Sequence, residues 1–435
     1  MTLTHVPSRW QRRALAAAAT CALAFGAAKA QTYTEVQVTT AAIPDYEFDS
    51  ARRGRNCPTC NNGSGNSRLA FTDKDGNLWV GGVDFATGNF VPADGRGTLV
   101  DTLTAPVPCF GNGPEWVASK AGSQLAYTRF QDASPWKPDG TLDCAASRPQ
   151  IVIGTQGAGG WTTSVLPASL DRATPEGSLE DDDTDPRVNY VLANKDALYW
   201  RRLSAPSVEV EMPINDLTGG NSRRWVPGTR KVIFQGHLST DPRLLDQVWL
   251  FDTDTGTREQ LTTDPVTKAG GFMWKAPEFN NEYVFFTMAN FRQEIWVYRN
   301  LAAPRGKRVW TVVKKIKAPK NPTDTTKNMF FWSPEPFVHN GRSYIFTQVS
   351  VSNKFFDKSI PTHIALSGID PLRNDFRMLT NASSLPRVRL DPEFFITAQG
   401  PFIYYNRLVP ANDNFPDGIN DGVWRIDTQL GPPKN

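Results

Sequence analysis

The chain is 435 residues long, with 47 Lys and Arg against 44 Asp and Glu and a formal charge of +3 at pH 7. Four of those basic residues and none of the acids fall in the first 30 positions, which leaves 43 basic and 44 acidic side chains beyond them. That near-neutral balance gives no massed Lys/Arg footprint for a nucleic-acid backbone, and the 13 Trp, 25 Phe, 33 Gly and 33 Pro suit short strands and tight turns rather than a helical protein.

Residues 1–30 read as an export signal. Arg9, Arg12 and Arg13 supply a positive start and Ala14–Ala28 a short apolar run. Ala28-Lys29-Ala30 is a small-x-small cleavage site, so Gln31 is the expected first mature residue and the address is periplasmic or secreted. The apolar run is too short to span a bilayer. Four cysteines follow: Cys57, Cys60, Cys109 and Cys144. An even number in an exported chain favours two disulfides; three pairings are open, and Cys57–Cys60 with Cys109–Cys144 is preferred. Asn61 stands where haem attachment to Cys57-Pro-Thr-Cys60 would need His, and further zinc ligands are not near.

Beyond the leader an apolar triplet, usually centred on Trp, returns seven times. The copies are Leu78-Trp79-Val80, Ile151-Val152-Ile153, Val208-Glu209-Val210, Val248-Trp249-Leu250, Ile295-Trp296-Val297, His363-Ile364-Ala365 and Val423-Trp424-Arg425. Gaps of roughly 40 to 70 residues are the period of a four-stranded propeller blade. Strand-turn-strand units surround the triplets in order. Arg68–Thr72 meets Leu78–Val80 through an Asp-Gly turn. Gln124–Thr128 precedes Gln150–Ile153, Tyr190–Leu192 precedes Ala197–Trp200, and Lys231–Gln235 precedes Val248–Phe251. Tyr283–Thr287, Tyr344–Thr347 and Phe402–Tyr405 open the last three units. The expectation is an all-β chain with one β-propeller domain over 31–435, of seven blades with six the alternative. The last unit lacks an outer strand, and the alternating segment Thr34–Thr39 is expected to supply it and close the ring.

The fourth unit resembles the repeat of TolB-type propellers. Leu69-Ala-Phe-Thr72, Gln247 to Gly256, Leu261-Thr262 and Phe331-Trp-Ser-Pro334 match pieces of that repeat, although Glu335-Pro336 replaces the Asp-Gly expected after Trp-Ser-Pro. The resemblance implies the fold and, in the TolB manner, a non-enzymatic periplasmic scaffold for a protein ligand. Phe330–Glu335 with Phe337–Thr347 is also similar to a strand and hairpin of five-bladed furanosidase-type glycoside hydrolases, with weaker echoes at Trp274–Glu278 and Asp391–Glu393. That resemblance implies a carboxylate at the sugar, Glu335 first and Asp391 next.

Chemistry is sparse elsewhere. There is no Gly-x-Ser-x-Gly elbow, phosphate loop or dinucleotide fingerprint. Three histidines remain, His237, His339 and His363, and they are barely enough for a metal-dependent polysaccharide lyase. Asp181, Asp183 and Asp185 have the alternate spacing that opens calcium loops, without the Gly and distal Glu; no other cofactor or metal is expected. A Pro-Glu phrase carries more. It occurs at Pro114-Glu115-Trp116, Pro277-Glu278-Phe279, Pro334-Glu335-Pro336 and Pro392-Glu393-Phe394, with Asp185-Pro186-Arg187 taken as the equivalent in the third unit. Its place ahead of each "Phe-Thr" strand puts it on the innermost strand. Carboxylates crowded at one axial mouth would split their pKa values, as glycosidic cleavage requires. Glu335, Asp391, Glu393 and Glu278 are therefore the candidate catalytic acids. Glu115, Trp116, Trp274, Trp332, Asp185 and Arg187 are the candidate ligand contacts. The expected activity is glycan binding in an axial funnel by a monomer, with carboxylate-based hydrolysis of that glycan.

Overall fold

A computed structural model describes residues 33–434 apart from 41–42, 44, 50–66, 74, 93–95, 105–112, 132–147, 180–183, 194–196, 215, 219–221, 355–356 and 381–383. The expected leader, Cys57, Cys60, Cys109 and Cys144, and Asp181 and Asp183 lie outside the described residues.

Seven antiparallel sheets follow one another along the chain as the blades of a β-propeller. Consecutive strands of a blade pair through hairpins, except that the outer strand of blade seven comes from residues 35–39. The turns that join them are dictated locally. Asp84-Phe-Ala-Thr87-Gly88 and Asp252-Thr-Asp-Thr255-Gly256 are the same device. The Asp carboxylate accepts the Thr amide at 2.6 Å and 3.2 Å, and Gly88 (φ 72°) and Gly256 (φ 70°) reverse the chain. The recurring Trp of the third strand is equally local. Its indole N–H donates to Asp73 in blade one (2.9 Å), the Gly236 carbonyl in blade four (3.0 Å), Glu294 in blade five (2.5 Å) and the Asp421 carbonyl in blade seven (2.6 Å). Arg258, Lys315 and Arg407 lie over the rings of Trp249, Trp296 and Trp424. Blade three departs from expectation. Its third strand is Leu198–Arg202, carrying Leu198-Tyr199-Trp200, and Val208-Glu209-Val210 leads instead into the short outer strand Val210–Glu211.

The core lies between blades. Phe48, Leu69 and Phe71 of blade one pack with Phe395, Phe402 and Tyr404 of blade seven. Trp274, Phe286 and Val297 of blade five pack with Phe331, Ile345 and Ala365 of blade six. Between blades six and seven, Phe337 stacks on Phe394 with centroids 5.1 Å apart. Each sheet buries both faces this way, which is why its strands are nearly continuous apolar runs.

The ring closes as the alternation of its first strand predicts. Glu35–Thr39 pairs antiparallel with Ile419–Asp427 and becomes the outer strand of blade seven. Arg389, fully buried, donates to both oxygens of Glu35 at 2.8 Å, Tyr405 donates to it at 2.8 Å, and Arg407 stands 3.7 Å away. Burial alone would push the Glu35 acid up; the Arg389 and Tyr405 hydrogen bonds and the two guanidinium charges instead hold it below the ordinary carboxylate value. Gly422 lets the two strands meet. Its φ is 83°, and a Cβ there would collide with the Thr39 carbonyl.

Candidate functional site: an acidic axial cavity

The first strand of every blade reaches one central cavity of about 520 Å³. These strands are Asp45–Phe48, Glu115–Val117, Arg172–Gly177, Arg223–Trp225, Lys268–Ala276, Phe330–His339 and Val388–Thr397. Four of them carry the same irregularity. In blades three, five, six and seven the register with the second strand slips by a bulge. At each slip one residue turns left-handed: Thr174 (φ 51°), Gly270 (φ 62°), Ser333 (φ 44°) and Asp391 (φ 51°). Two residues on stand Glu176, Phe272, Glu335 and Glu393, all lining the cavity. The "Phe-Thr" strand explains itself here. Thr347 donates its hydroxyl to the Trp332 carbonyl just before the bulge (2.9 Å), and Thr287 does the same to Ala269 (3.4 Å). The hydroxyl supplies a partner to a carbonyl at the point where the ladder slips.

Glu47, Glu115, Glu176, Glu335, Asp391 and Glu393 thus converge from five blades, against Arg224 and Lys275. Arg224 is ion-paired to Glu176, and its guanidinium lies 5.3 Å from the centre of the Phe272 ring. Among the described residues that line the cavity the acids outnumber the cationic side chains. Glu115 is pushed well above the ordinary value, first by burial and then by the Glu176 charge, with Arg224 opposing. Asp391 is pushed up to about 7 by burial and by the negative charge of Glu335, again against Arg224. Tyr46, whose hydroxyl lies 3.4 Å from the Asp391 carbonyl, is raised well above its usual value by burial and by the charges of Asp391 and Glu393. Excess negative charge in a partly dry site keeps some carboxyls protonated near neutrality. The aromatic faces that keep exposure there are Phe272 and Phe394. Trp116 and Trp274 also line the cavity but are almost wholly buried. Their indole N–H groups donate to the Glu47 carbonyl (3.0 Å) and to Ser343 Oγ (3.1 Å).

The Pro-Glu phrase therefore brings Glu115, Glu335 and Glu393 together, with Asp391 beside them. Two of its assignments are corrected. Glu278 sits in the short turn Pro277–Phe279 after the inner strand of blade five and does not line the cavity. It accepts from the Ser343 amide (2.8 Å) and hydroxyl (2.9 Å), bracketing blades five and six. Asp185-Pro186-Arg187 is not on an inner strand. Arg187 opens the second strand of blade three, buried, with Asp254 at 2.6 Å and Asp185 at 3.2 Å. Asp185 also accepts from Ser204 (2.8 Å), so the one described acid of the calcium spacing is engaged by a structural ion pair. The true third copy is Pro175-Glu176, the same dipeptide, overlooked in the sequence. Trp332 lies at the blade-six bulge but off the cavity, covered by Arg292 at 4.5 Å. Glu47 and Arg224 carry no dipeptide signal.

The histidines do not converge: His237 binds Asp246 (2.6 Å), His339 the Gly431 carbonyl (2.9 Å), and His363 lies 3.5 Å from Thr380. Among the described residues no group of three or more His, Cys, Asp or Glu is arranged to hold a metal ion. No described helix is long and apolar enough to cross a membrane.

No protein-family model and no curated protein matches the chain. Solved structures do. An oligogalacturonate lyase in complex with manganese aligns at 12% identity and TM-score 0.44, over 70% of this chain and 74% of that one. A putative 6-phosphogluconolactonase from Bacteroides uniformis aligns at 11% identity and TM-score 0.43, over 82% and 92%. Trypanosoma rangeli sialidase in complex with sialic acid aligns at 9% identity and TM-score 0.43, over 84% of this chain and 59% of the sialidase. Similarity at this level bears on neither substrate nor chemistry. The protein is a seven-bladed β-propeller.

Proposed function

We propose that the protein is exported, binds a glycan in its axial cavity, and hydrolyses it with the Asp391–Glu335 pair. The observation that supports this reading is the placement of the two acids in one cavity wall, with Asp391 protonated up to about 7 beside the charge of Glu335. A proton held on one carboxyl next to an ionised neighbour is the division that general-acid cleavage of an acetal needs. Asp391 would protonate the leaving oxygen. Glu335 would act as nucleophile or activate water. Phe394 offers a sugar-stacking face, and Glu47, Glu115 and Glu393 offer acceptors for hydroxyls.

The test is incubation of the mature protein with plant and microbial polysaccharides, with released sugars read by mass. Oligosaccharide products that disappear in both Asp391→Asn and Glu335→Gln are the expected result. No release from any substrate, with capture of an exported protein instead, would replace this reading with the TolB-like scaffold.

A further inference from the structure

The bulges of the inner strands are held in two different ways. The second-strand residue that faces each slip is Thr287 in blade five and Thr347 in blade six, but Tyr190 in blade three and Tyr405 in blade seven. The two threonines donate to the carbonyl just before the left-handed residue, that of Ala269 (3.4 Å) and that of Trp332 (2.9 Å). The two tyrosines donate elsewhere, to Glu209 (2.9 Å) and to Glu35 (2.8 Å). In blades three and seven the next blade round the ring reaches the bulge instead. Arg223 of blade four donates to the carbonyl of left-handed Thr174, and the Tyr46 hydroxyl of blade one donates to the carbonyl of left-handed Asp391 (3.4 Å).

The contact carries more in blade seven than in blade three. Thr174 is held a second time through its amide, which donates to Thr128 (2.9 Å), and a third through its hydroxyl, which accepts from Arg223 (2.8 Å). The Asp391 carboxyl accepts no hydrogen bond from the described residues, so its direction follows from its backbone. That backbone has φ 51°, a strained value for a residue other than glycine, which persists only where the surroundings hold it. Tyr46 can do so because its own ring is fixed. It is buried at the boundary of blades one and seven, edge-on to Phe48 with centroids 5.9 Å apart, in one cluster with Phe395, Phe402 and Tyr404. It also lines the axial cavity.

We infer that Tyr46 is a positioning residue for the proposed acid: its hydroxyl, set on the Asp391 carbonyl from the neighbouring blade, holds the blade-seven bulge in the form that aims the Asp391 carboxyl into the axial cavity. The catalytic consequence rests on the hydrolase reading above; the structural one does not. Without the hydroxyl, the backbone at Asp391 relaxes and the carboxyl leaves its buried place near the Glu335 charge. Both causes of its raised value then weaken. The charged groups that act on Asp391 from other blades, Glu335 and Arg224, are untouched by the change, as is Glu393 on its own strand. A misdirected acid slows the chemical step, while the rest of the cavity still binds the substrate.

The experiment compares two variants of the mature protein. Tyr46→Phe keeps the ring and removes the hydroxyl. Tyr404→Phe removes an equally buried hydroxyl of the same cluster, one that donates to the Gly88 carbonyl (2.6 Å). The Asp391 midpoint is read from carboxyl carbon resonances, folding from the thermal transition, and kcat and KM across pH on any glycan the parent cleaves. Tyr46→Phe is expected to lower the Asp391 midpoint by about one unit, roughly tenfold in its acid constant. It should lower kcat about tenfold at unchanged KM and shift the basic limb of the pH profile down by the same amount. Tyr404→Phe should lower the thermal transition and move neither quantity. A midpoint and kcat unchanged in Tyr46→Phe, or equally shifted in Tyr404→Phe, would overturn the positioning role and leave the glycan reading standing. A midpoint that falls in Tyr46→Phe alone, with no glycan cleaved by the parent, would support the positioning role and overturn the hydrolase reading. Loss of a cooperative thermal transition in Tyr46→Phe would make the residue a structural one and overturn the inference.

Discussion

The protein buries carboxylates in two places, and they behave in opposite ways. At the ring-closing seam Glu35 meets two guanidinium groups and a phenol, and its acid is held below the ordinary range although burial pushes it up. In the axial cavity Glu115 and Asp391 are buried among other acids, and theirs rise. The residue types are nearly the same, so the local charge balance makes the difference. Where cations match or exceed the acids, the carboxylate is a structural anchor that stays ionised. Where acids crowd together, as around Glu115 and Asp391, the carboxyls hold their protons to higher pH.

The seam should give the largest stability effect. Glu35→Ala leaves Arg389 buried without its bidentate partner and loosens the strand that closes the ring. Removing one partner of a buried pair costs about 3–5 kcal/mol. A thermal transition in Glu35→Ala equal to that of the parent would remove the seam's role. Gly422→Ala attacks the same closure through the backbone, since the residue has φ 83° and no room for a Cβ beside Thr39. A loss of about 2 kcal/mol is expected from a forced left-handed residue and a local clash, read as a lower denaturation midpoint at unchanged slope.

The pH dependence of stability separates the two regions next. Glu35 has a depressed folded value, so its contribution is present above its unfolded value and is lost as pH falls through the folded one. Asp391 has a raised folded value. Its contribution is fully present below its unfolded value near 3.8 and is lost as pH rises through about 7. Stability should therefore decline on both sides, and Asp391→Asn should flatten the neutral limb while leaving the acid limb intact. Chemical denaturation between pH 3 and 8 reads both limbs; a neutral limb unchanged by Asp391→Asn would contradict the assignment. The smallest effect belongs to Glu278→Gln. This acid lies outside the cavity lining and holds Ser343. A loss of about 1 kcal/mol is expected for one weakened hydrogen bond, with no change in product release from any glycan the parent cleaves.

The fold was legible because its signals are local. Asp-Gly turns, the Trp triplets and the alternation of Thr34–Thr39 each state their structure within a few residues, and all appear where expected except in blade three. There Val208-Glu209-Val210 has the composition of a third strand but lies at the outer edge. The site was legible in part, for a geometric reason. Glu115, Glu335 and Glu393 each stand eleven residues before the residue they pair with, Ala126, Phe346 and Tyr404. In blade five the hairpin is three residues longer, because the turn Pro277–Phe279 is inserted. The paired residue Phe286 then stands opposite Phe272, and the Pro-Glu dipeptide falls in the turn itself. Glu47 and Arg224 reach the cavity through strand register across the ring, which no local spacing encodes.

The measurement that tests the central claim most directly is the titration of the Asp391 carboxyl, followed by carboxyl carbon resonances of the mature protein and assigned by Asp391→Asn. A midpoint near 7 that falls in Glu335→Gln is the expected result, since removing the Glu335 charge removes one of the two causes of the rise. A midpoint in the ordinary range of an exposed aspartate, unmoved by Glu335→Gln, would contradict the account of the axial cavity as an acid–base site.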